Sequence, residues 1–470
     1  LSKPRRRLVR KLAGRSSRKV PVWQRITPPQ VFIGSFAVLI VLGGVGFRLI
    51  PGLFVDQIPS WTDCFFTSTS AVCVTGLTVF DVATQMTFAG EAFLLLQIQL
   101  GGLGMLTFAS LIIMALGRRL SLRHEETSIV ASETSSHIDR RRLTRDIVRF
   151  TFLFEALGAI LLYAVWVPRL GWKGAAWPAV FHSVSAFCNA GFSTFTHNLV
   201  GFYDSAFTLF VVMLLITAGG VGFLTHEELY LKWRAFREKR AFRVSLQSRI
   251  VLITSLLLIV AGTVGHAVFE WNRTLSGLTA WQKIWNSAFM SVTPRTAGFN
   301  TIDYAAAGDS SNLLTMLLMT IGGSPGSTAG GIKTTSFALI GLLAISRLRA
   351  QETTNVLSRS IPEETTDRAV GLFAIAAGIM VAGVFGLTIT EDYAGRPYGL
   401  MERMFEAVSA FNTVGLSTGI TSTLSDPGRW VTILLMFFGR VGPLTLAAAL
   451  TRSRSKSDNF RYAYEEVIVG

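Results

Sequence analysis

Ser409-Ala410-Phe411-Asn412-Thr413-Val414-Gly415 is one of four short stretches, each ending on a glycine, that decide how this chain folds. The others are Ser70-Ala71-Val72-Cys73-Val74-Thr75-Gly76, Ser185-Ala186-Phe187-Cys188-Asn189-Ala190-Gly191 and Ser291-Val292-Thr293-Pro294-Arg295-Thr296-Ala297-Gly298. The glycines are spaced by 115, 107 and 117 residues, and a bulky residue follows each: Leu77, Phe192, Phe299 and Leu416. Self-similarity on a fixed period marks an architecture built from copies of one unit. On an apolar background, four copies suggest a ring around an axis. A membrane-embedded ring of backbone loops is one way to replace the water around a cation.

The background is apolar. Of 470 residues, 50% are hydrophobic and 16% charged, with a mean hydropathy of +0.46. Soluble domains carry about 25% charged residues. Crossing about 30 Å of hydrocarbon takes roughly 20 apolar residues. Eight such segments are predicted, at about 31–50, 88–116, 147–167, 203–231, 249–270, 312–346, 369–390 and 428–450. Shorter segments lie between paired spans: Trp61 to Val72, Trp177 to Phe187, Trp281 to Val292 and Met401 to Phe411. They are too short to cross. Each suits a half-helix that enters from outside, turns at the glycine and returns. Non-helical backbone at that depth is tolerated only where protein or water surrounds it. Trp61, Trp177 and Trp281 suit the outer interface.

The predicted fold class is therefore an all-α membrane protein of four tandem span–loop–span repeats, whose eight transmembrane helices form a pseudo-tetrameric pore within one chain. The expected divisions are a basic tail (1–30), repeat 1 (31–116), a loop (117–146), repeat 2 (147–231), a loop (232–248), repeat 3 with a broken second helix (249–346), a loop (347–368), repeat 4 (369–450) and a tail (451–470).

Charge gives the orientation. Lys and Arg number 33 of 44 in segments 1–30, 117–149, 232–249, 347–368 and 452–461, all on one side if eight spans alternate. The positive-inside rule then puts both termini and the three basic loops of this multi-pass chain in the cytoplasm. The net charge of +15 becomes topology and attraction to anionic lipid, not nucleic-acid binding, because it is split among loops. The basic leader runs into a full-length span, which favours a retained first helix over a cleaved signal.

At the loops, main-chain carbonyls can supply ligands to a cation without a full charge. The candidate filter residues are Val74, Thr75 and Gly76, then Asn189, Ala190 and Gly191, then Thr296, Ala297 and Gly298, then Thr413, Val414 and Gly415. Glycine permits the backbone angles that turn successive carbonyls inward.

Each second span also carries a glycine cluster: Gly101 to Gly104, Gly219 to Gly222, Gly322 to Gly326 and Gly439 to Pro443. The first two are expected to pack helices closely through small residues. The third cannot stay helical. Gly322, Gly323, Ser324, Pro325, Gly326, Ser327, Thr328, Ala329, Gly330 and Gly331 hold five glycines and a proline in ten residues, and Lys333 follows. This stretch is a candidate gate below the filter. Arg440, within the last span, must face an interior partner or water. It is either a tether to loop carbonyls or a positive plug in the cation path.

Taken together, Val-Thr-Gly-Leu at 74–77, Cys-Asn-Ala-Gly-Phe at 188–192, Pro-Arg-Thr-Ala-Gly-Phe-Asn-Thr at 294–301, Phe-Asn-Thr-Val-Gly-Leu-Ser-Thr at 411–418, the string at 322–334 and Arg440 resemble the Trk/Ktr/HKT superfamily of potassium uptake proteins. The likeness runs from about residue 30 to 450, and eight spans make it most similar to KtrB-type membrane subunits of bacterial Ktr systems. That resemblance implies a homodimer with one pore per protomer. It implies a cytoplasmic KtrA-type ring that binds ATP or ADP and works the gate, and uptake in which Na+ can act as an activator. It carries the four filter glycines and the gate loop with Arg440 onto this chain. In the superfamily, serine at the first filter glycine accompanies sodium permeation, so Gly76 implies potassium selectivity. Loops 120–145 and 232–246 are the expected docking places for the ring.

Other chemistry dissolves. Gly326 to Thr334 brushes a phosphate-loop pattern, but Ile332 stands where lysine is required, so no nucleotide is expected on this chain, and no enzyme activity. His226-Glu227-Glu228 lacks the second histidine of a zinc helix and is expected to begin a cytoplasmic helix end. Cys64, Cys73 and Cys188 have no metal or disulfide spacing; Cys73 and Cys188 are expected as fillers behind the filter. Arg295 is placed near the outer mouth, bracing its loop by a salt bridge or limiting cation entry. The rival reading is a cation/proton symporter with alternating access. It would use Glu91 or Glu155, expected near the outer and cytoplasmic starts of their spans, with no partner nameable for either.

Overall fold

The structure, a computed structural model, describes residues 28–105 and 140–442. The basic N-terminal tail, the 117–139 loop, the ends of the second spans of repeats 1 and 4, most of the 120–145 docking segment and the C-terminal tail lie outside the described residues.

The chain is helical almost throughout. Helix α1 (Pro28–Leu49) is followed by the half-helix α2 (Trp61–Val72) and by α3 (Phe88–Met105). Next comes α4 (Arg140–Cys188), whose non-helical break at Gly171 (φ 70°), between Pro168 and Pro178, divides a long span from a half-helix over 172–188. The second half-helix therefore begins several residues before the predicted Trp177. Helices α5 (Ala206–Val221) and α6 (Phe223–Arg237) follow. Then come α7 (Leu246–Glu270), half-helix α8 (Ala280–Val292), α9 (Asp309–Thr320) and α10 (Thr334–Leu348). A small antiparallel hairpin, β1 (Thr354–Val356) with β2 (Arg359–Ile361), leads into α11 (Glu363–Tyr393), half-helix α12 (Leu400–Phe411) and α13 (Asp426–Val441).

Five helices are each long and apolar enough to cross a membrane, and six segments if the bent pair α5–α6 counts as one. The chain is thus a membrane protein, with fewer unbroken crossings among the described residues than the eight segments predicted. One prediction needs correcting. Segment 203–231 is not a continuous span, because α5 and α6 meet at 101°. Gly222, at φ 91°, makes the corner, so the Gly219–Gly222 cluster breaks a helix as well as packing one. The chain also leaves the helix at Thr320 and re-enters it at Thr334. The hairpin in 347–368 has no counterpart in the sequence reading.

Capping side chains start two of the half-helices. The Ser60 hydroxyl accepts from the Asp63 amide at 3.2 Å, and Thr279 with Gln282 forms a reciprocal capping box. Packing then runs in a cycle. Each half-helix lies on the first span of its own unit, α2 on α1 and α8 on α7. The helix after each loop packs on the half-helix of the next unit: α5 on α8, α9 on α12, and α13 back on α2. An ion pair between Arg429 and Asp63 at 2.7 Å fastens that last contact.

Serines fix the depth of three half-helices. Ser68, Ser183 and Ser291 donate to the carbonyls of Ile40, Glu155 and Ile259 at 2.8, 2.6 and 2.9 Å. Three residues beyond each carbonyl stands a glycine, Gly43, Gly158 or Gly262, whose missing side chain makes room for that hydroxyl. Gly383 occupies the same register in the fourth unit, against Leu435.

Eight residues further along the first spans, Trp166, Glu270 and Glu391 anchor the next helix starts. Trp166 donates to Thr208 at 3.2 Å, Glu270 accepts from the Gly308 amide at 2.9 Å, and Glu391 accepts from the Ser425 hydroxyl at 2.6 Å and its amide at 3.2 Å. Glu391 is fully buried. Its replacement by alanine leaves those donors unpaired, at about 1–3 kcal/mol each. We expect Glu391→Ala to lower the melting temperature in detergent by several degrees, as followed by tryptophan fluorescence, and Glu391→Gln to recover most of it.

Candidate functional site

Each loop begins where its half-helix ends. The amides of Thr75, Ala190 and Val414 donate to the carbonyls of Ser70, Ser185 and Ser409 at 2.7, 2.7 and 2.9 Å. In the third loop, Ala297 donates to Thr293 at 2.9 Å, one residue out of register with the others. Hydroxyls then hold the far side of each turn. Ser70 and Ser409 accept from the amides of Gly76 and Gly415, both at 3.1 Å, while Ser185 and Thr293 donate to the carbonyls of Phe192 and Phe299 at 2.8 and 2.6 Å.

The backbone repeats itself as well. Val74, Asn189, Thr296 and Thr413 all have positive φ (56°, 60°, 73° and 50°), and so do Gly76, Gly191, Gly298 and Gly415 (95°, 71°, 78° and 92°). Two left-handed residues flanking one that is not left-handed turn successive carbonyls toward the same side. An L-residue resists the left-handed region, and positions such as Val74 and Thr413 persist only where surroundings over-determine them.

The four loops meet. A β-carbon placed on Gly76 would strike the Ala190 carbonyl oxygen and stand 3.1 Å from Cα of Gly191. On Gly191 it would press on the Ala297 carbonyl, 2.9 Å from Cα of Gly298. On Gly298 it would press on the Val414 carbonyl, 3.2 Å from Cα of Gly415. On Gly415 it would strike the Thr75 carbonyl, 3.1 Å from Cα of Gly76, and the circuit closes. All twelve predicted loop residues are thus brought into one cluster. Thr75, Ala190, Ala297 and Val414 are fully buried, each with its carbonyl against the glycine of an adjacent loop.

The glycines of the second helices pack under this ring. Gly101, Gly219 and Gly439 lie against the carbonyls of Val72, Phe187 and Phe411, the last turns of three half-helices, with no room for a β-carbon. Gly102 lies against the Cys188 thiol.

The segment 321–333 lies in the same region. Ser324 and Thr328 donate their amides to Gly220 and Gly219 at 2.9 and 3.2 Å, and the Phe223 amide donates to Gly326 at 3.0 Å. The Thr328 hydroxyl donates to the Phe187 carbonyl at 3.1 Å, and the Gly322 amide to Ile332 at 2.9 Å. Gly330 and Gly331 abut Thr413 and Asn412 of the fourth loop. Two cations secure the segment. Lys333 donates to the carbonyl of Ala329 at 2.8 Å, and Arg440 donates to those of Thr328 at 2.5 Å and Gly101 at 3.1 Å. Arg440 is 1% exposed and has no acidic partner among the described residues.

Arg295 departs from its expected position. It is buried and lines a small cavity with Ile216, Thr217, Gly220, Val221, Val292 and Gly323, so it faces the glycine-rich segment and not the outer mouth. It forms no salt bridge among the described residues, and donates instead to the Ser255 hydroxyl at 3.0 Å and carbonyl at 3.4 Å. The direction of the half-helix explains this. Arg295 precedes the turn, at the end of the loop that adjoins the half-helix.

Partners also emerge for the two carboxylates. Glu91 accepts from Trp177 Nε1 at 2.5 Å, joining the first two units. Glu155 is buried, accepts from Gln99 Nε2 at 3.1 Å and lies beside the Cys188 thiol, so it sits at loop depth rather than at the cytoplasmic start of its span. Sequence reasoning missed Gln99, Glu391 and Glu406 because each meets its partner only after folding. The Gly43/Gly158/Gly262/Gly383 series was detectable, standing 33, 33, 36 and 32 residues before the loop glycines.

In the segment before α5, the Asp204 carboxyl is held below its ordinary value by the Arg169 guanidinium of α4, 2.7 Å away. His226, in α6, bonds the Ala218 carbonyl at 2.7 Å and packs on Phe150.

A closed set of buried carbonyl-bearing loops, hung between apolar helices, defines a membrane transport protein. Comparison with known proteins agrees. Residues 48–461 match the TrkH family, described as cation transport proteins, and the chain belongs to that family. It is 35% identical to the Ktr system potassium uptake protein B of Bacillus subtilis, over 96% of this chain and 99% of that one. It is 33% identical to the potassium/sodium uptake protein NtpJ of Enterococcus hirae, over 96% and 99%. Its fold is similar to the crystal structure of the potassium transporter TrkH from Vibrio parahaemolyticus, with a TM-score of 0.71 at 21% identity, covering 93% of this chain and 86% of that one. The chain is a potassium (cation) uptake transporter of the Trk/Ktr family, and its relatives are transporters, not enzymes.

Proposed function

We propose that the chain forms a pseudo-tetrameric, channel-like pore for K+, in which carbonyls of 74–76, 189–191, 296–298 and 413–415 replace the ion's water. The observation that carries this is the head-to-tail circuit of loop glycines and carbonyls. Inside-negative potential drives entry, at about 2.3 kcal/mol per charge per 100 mV. Na+ acts as an activator, a reading supported by a relative named for both potassium and sodium uptake.

Residues 322–331, with Lys333 and Arg440, form the gate. Its support is the mesh of bonds from this segment to Gly219, Gly220 and Phe187 on one side and to two cations on the other. The tether and the plug are then one device: Arg440 holds the segment across the path and adds a positive charge to it. A homodimer on a KtrA-type nucleotide-binding ring would work this latch, in a bacterial cytoplasmic membrane with both termini inside. Kinship to a subunit named for a Ktr system supports the partner.

Expression in a potassium-uptake-deficient bacterium tests the reading. Growth at low K+ and Rb+ uptake should appear, and should increase when a KtrA-type partner is co-expressed. No uptake in either condition would contradict it.

A further inference from the structure

Behind two of the four loops, the same brace is built from different side chains. In the second unit, His182 of the half-helix faces Ser193, two residues past Gly191, with Nε2 and the hydroxyl 2.8 Å apart. Its Nδ1 stands 2.8 Å from the Pro178 carbonyl, which can only accept. Nδ1 therefore carries the proton, and Nε2 of the neutral ring accepts from Ser193. In the fourth unit, Glu406 holds the register of His182, nine residues before the loop glycine. It accepts from Ser417, two residues past Gly415, and from Thr421 at 2.9 Å. Both serine oxygens then take the amide two residues on: Phe195 at 3.0 Å and Gly419 at 2.8 Å. His182 and Glu406 are fully buried.

The other two loops lack the brace. Thr67 stands in this register in the first unit, and its hydroxyl has no partner among the described residues. In the third, allowing for the one-residue offset set by Ser291, the position is Met290, which has no hydroxyl acceptor to offer. In the circuit of loops, the second and fourth are not neighbours but face each other.

We propose that Ser193 with His182, and Ser417 with Glu406, are positioning residues that hold opposite loops of the carbonyl ring at the spacing suited to K+. The braces act on the outward-returning strands just beyond Gly191 and Gly415, so they fix where those loops' carbonyls stand without touching the ion. On one diagonal of the ring the return strands are thus held by His182 and Glu406, and on the other neither Thr67 nor Met290 holds them. This rests on the filter reading above.

The test is paired K+ and Na+ flux into liposomes for Ser193→Ala, Ser417→Ala and the double variant, with Thr78→Val as the equivalent change in the unbraced first loop. Elution as a single symmetric peak in detergent verifies folding. Each serine variant should lower the K+/Na+ flux ratio roughly fivefold, the scale set by one hydrogen bond, with the double variant lower still and Thr78→Val unchanged. Glu406→Gln keeps an acceptor for Ser417 and should keep the parent ratio, while Glu406→Ala should lose it. A parent that discriminates, with serine variants that discriminate equally, overturns the brace alone. An equal loss in Thr78→Val overturns the diagonal assignment. A parent that does not discriminate overturns the filter reading and the brace with it.

Discussion

Gly76→Ser should lower the K+/Na+ flux ratio by about tenfold in liposomes, while the protein still inserts and elutes like its parent. Two physical terms act together. The serine would have to hold φ near 95°, a region costing a residue with a β-carbon about 1–2 kcal/mol. Its β-carbon would also strike the Ala190 carbonyl, so the first and second loops must separate. A wider, less regular ring gives up the match to one ion radius, and the hydroxyl offers Na+ a further oxygen. Because Gly76 is part of a closed circuit, the displacement passes to Gly191 and Gly415. An unchanged ratio would mean that the Gly76 carbonyl region does not set selectivity.

Arg440→Ala should raise flux in the absence of any partner protein, by about tenfold or more. The guanidinium makes two charge-assisted bonds, to Thr328 and Gly101, and such bonds are worth about 1.5–3 kcal/mol each. Removing them frees the segment from its fastening on the fourth unit while leaving its bonds to Gly219 and Gly220 intact. On the proposed path, the change also deletes a positive charge. Deleting 322–331 should act in the same direction. Arg440→Lys, which keeps the charge but not the forked geometry, should fall between parent and alanine. If none of these conducts more than the parent, the segment is not a gate.

Much of the architecture was legible because its signals are local. Half-helices announce themselves by length, by apolar content and by a glycine stop; α2 begins at Trp61 and ends at Val72, as read from sequence. The proline and five glycines of 322–331 forbid a helix on propensity alone. Elements whose cause lies elsewhere in the chain were hidden. The corner at Gly222 looks like any small-residue contact until Pro325 and Gly326 are seen packed against it. Arg295 reads as an outer charge until the direction of its half-helix is known. Glu155 reads as isolated until α3 brings Gln99 to it. Glu406, which holds the return strand of the fourth loop, resembles any charged residue on a half-helix, since Ser417 and Thr421 reach it only once the loop has turned.

Anomalous diffraction from crystals grown in Rb+ puts the account to its most direct trial. A peak should lie on the axis of the four loops, within coordination distance of the carbonyls of Thr75, Ala190, Ala297 and Val414. Rubidium bound elsewhere, with that axis empty at saturating Rb+, would contradict it.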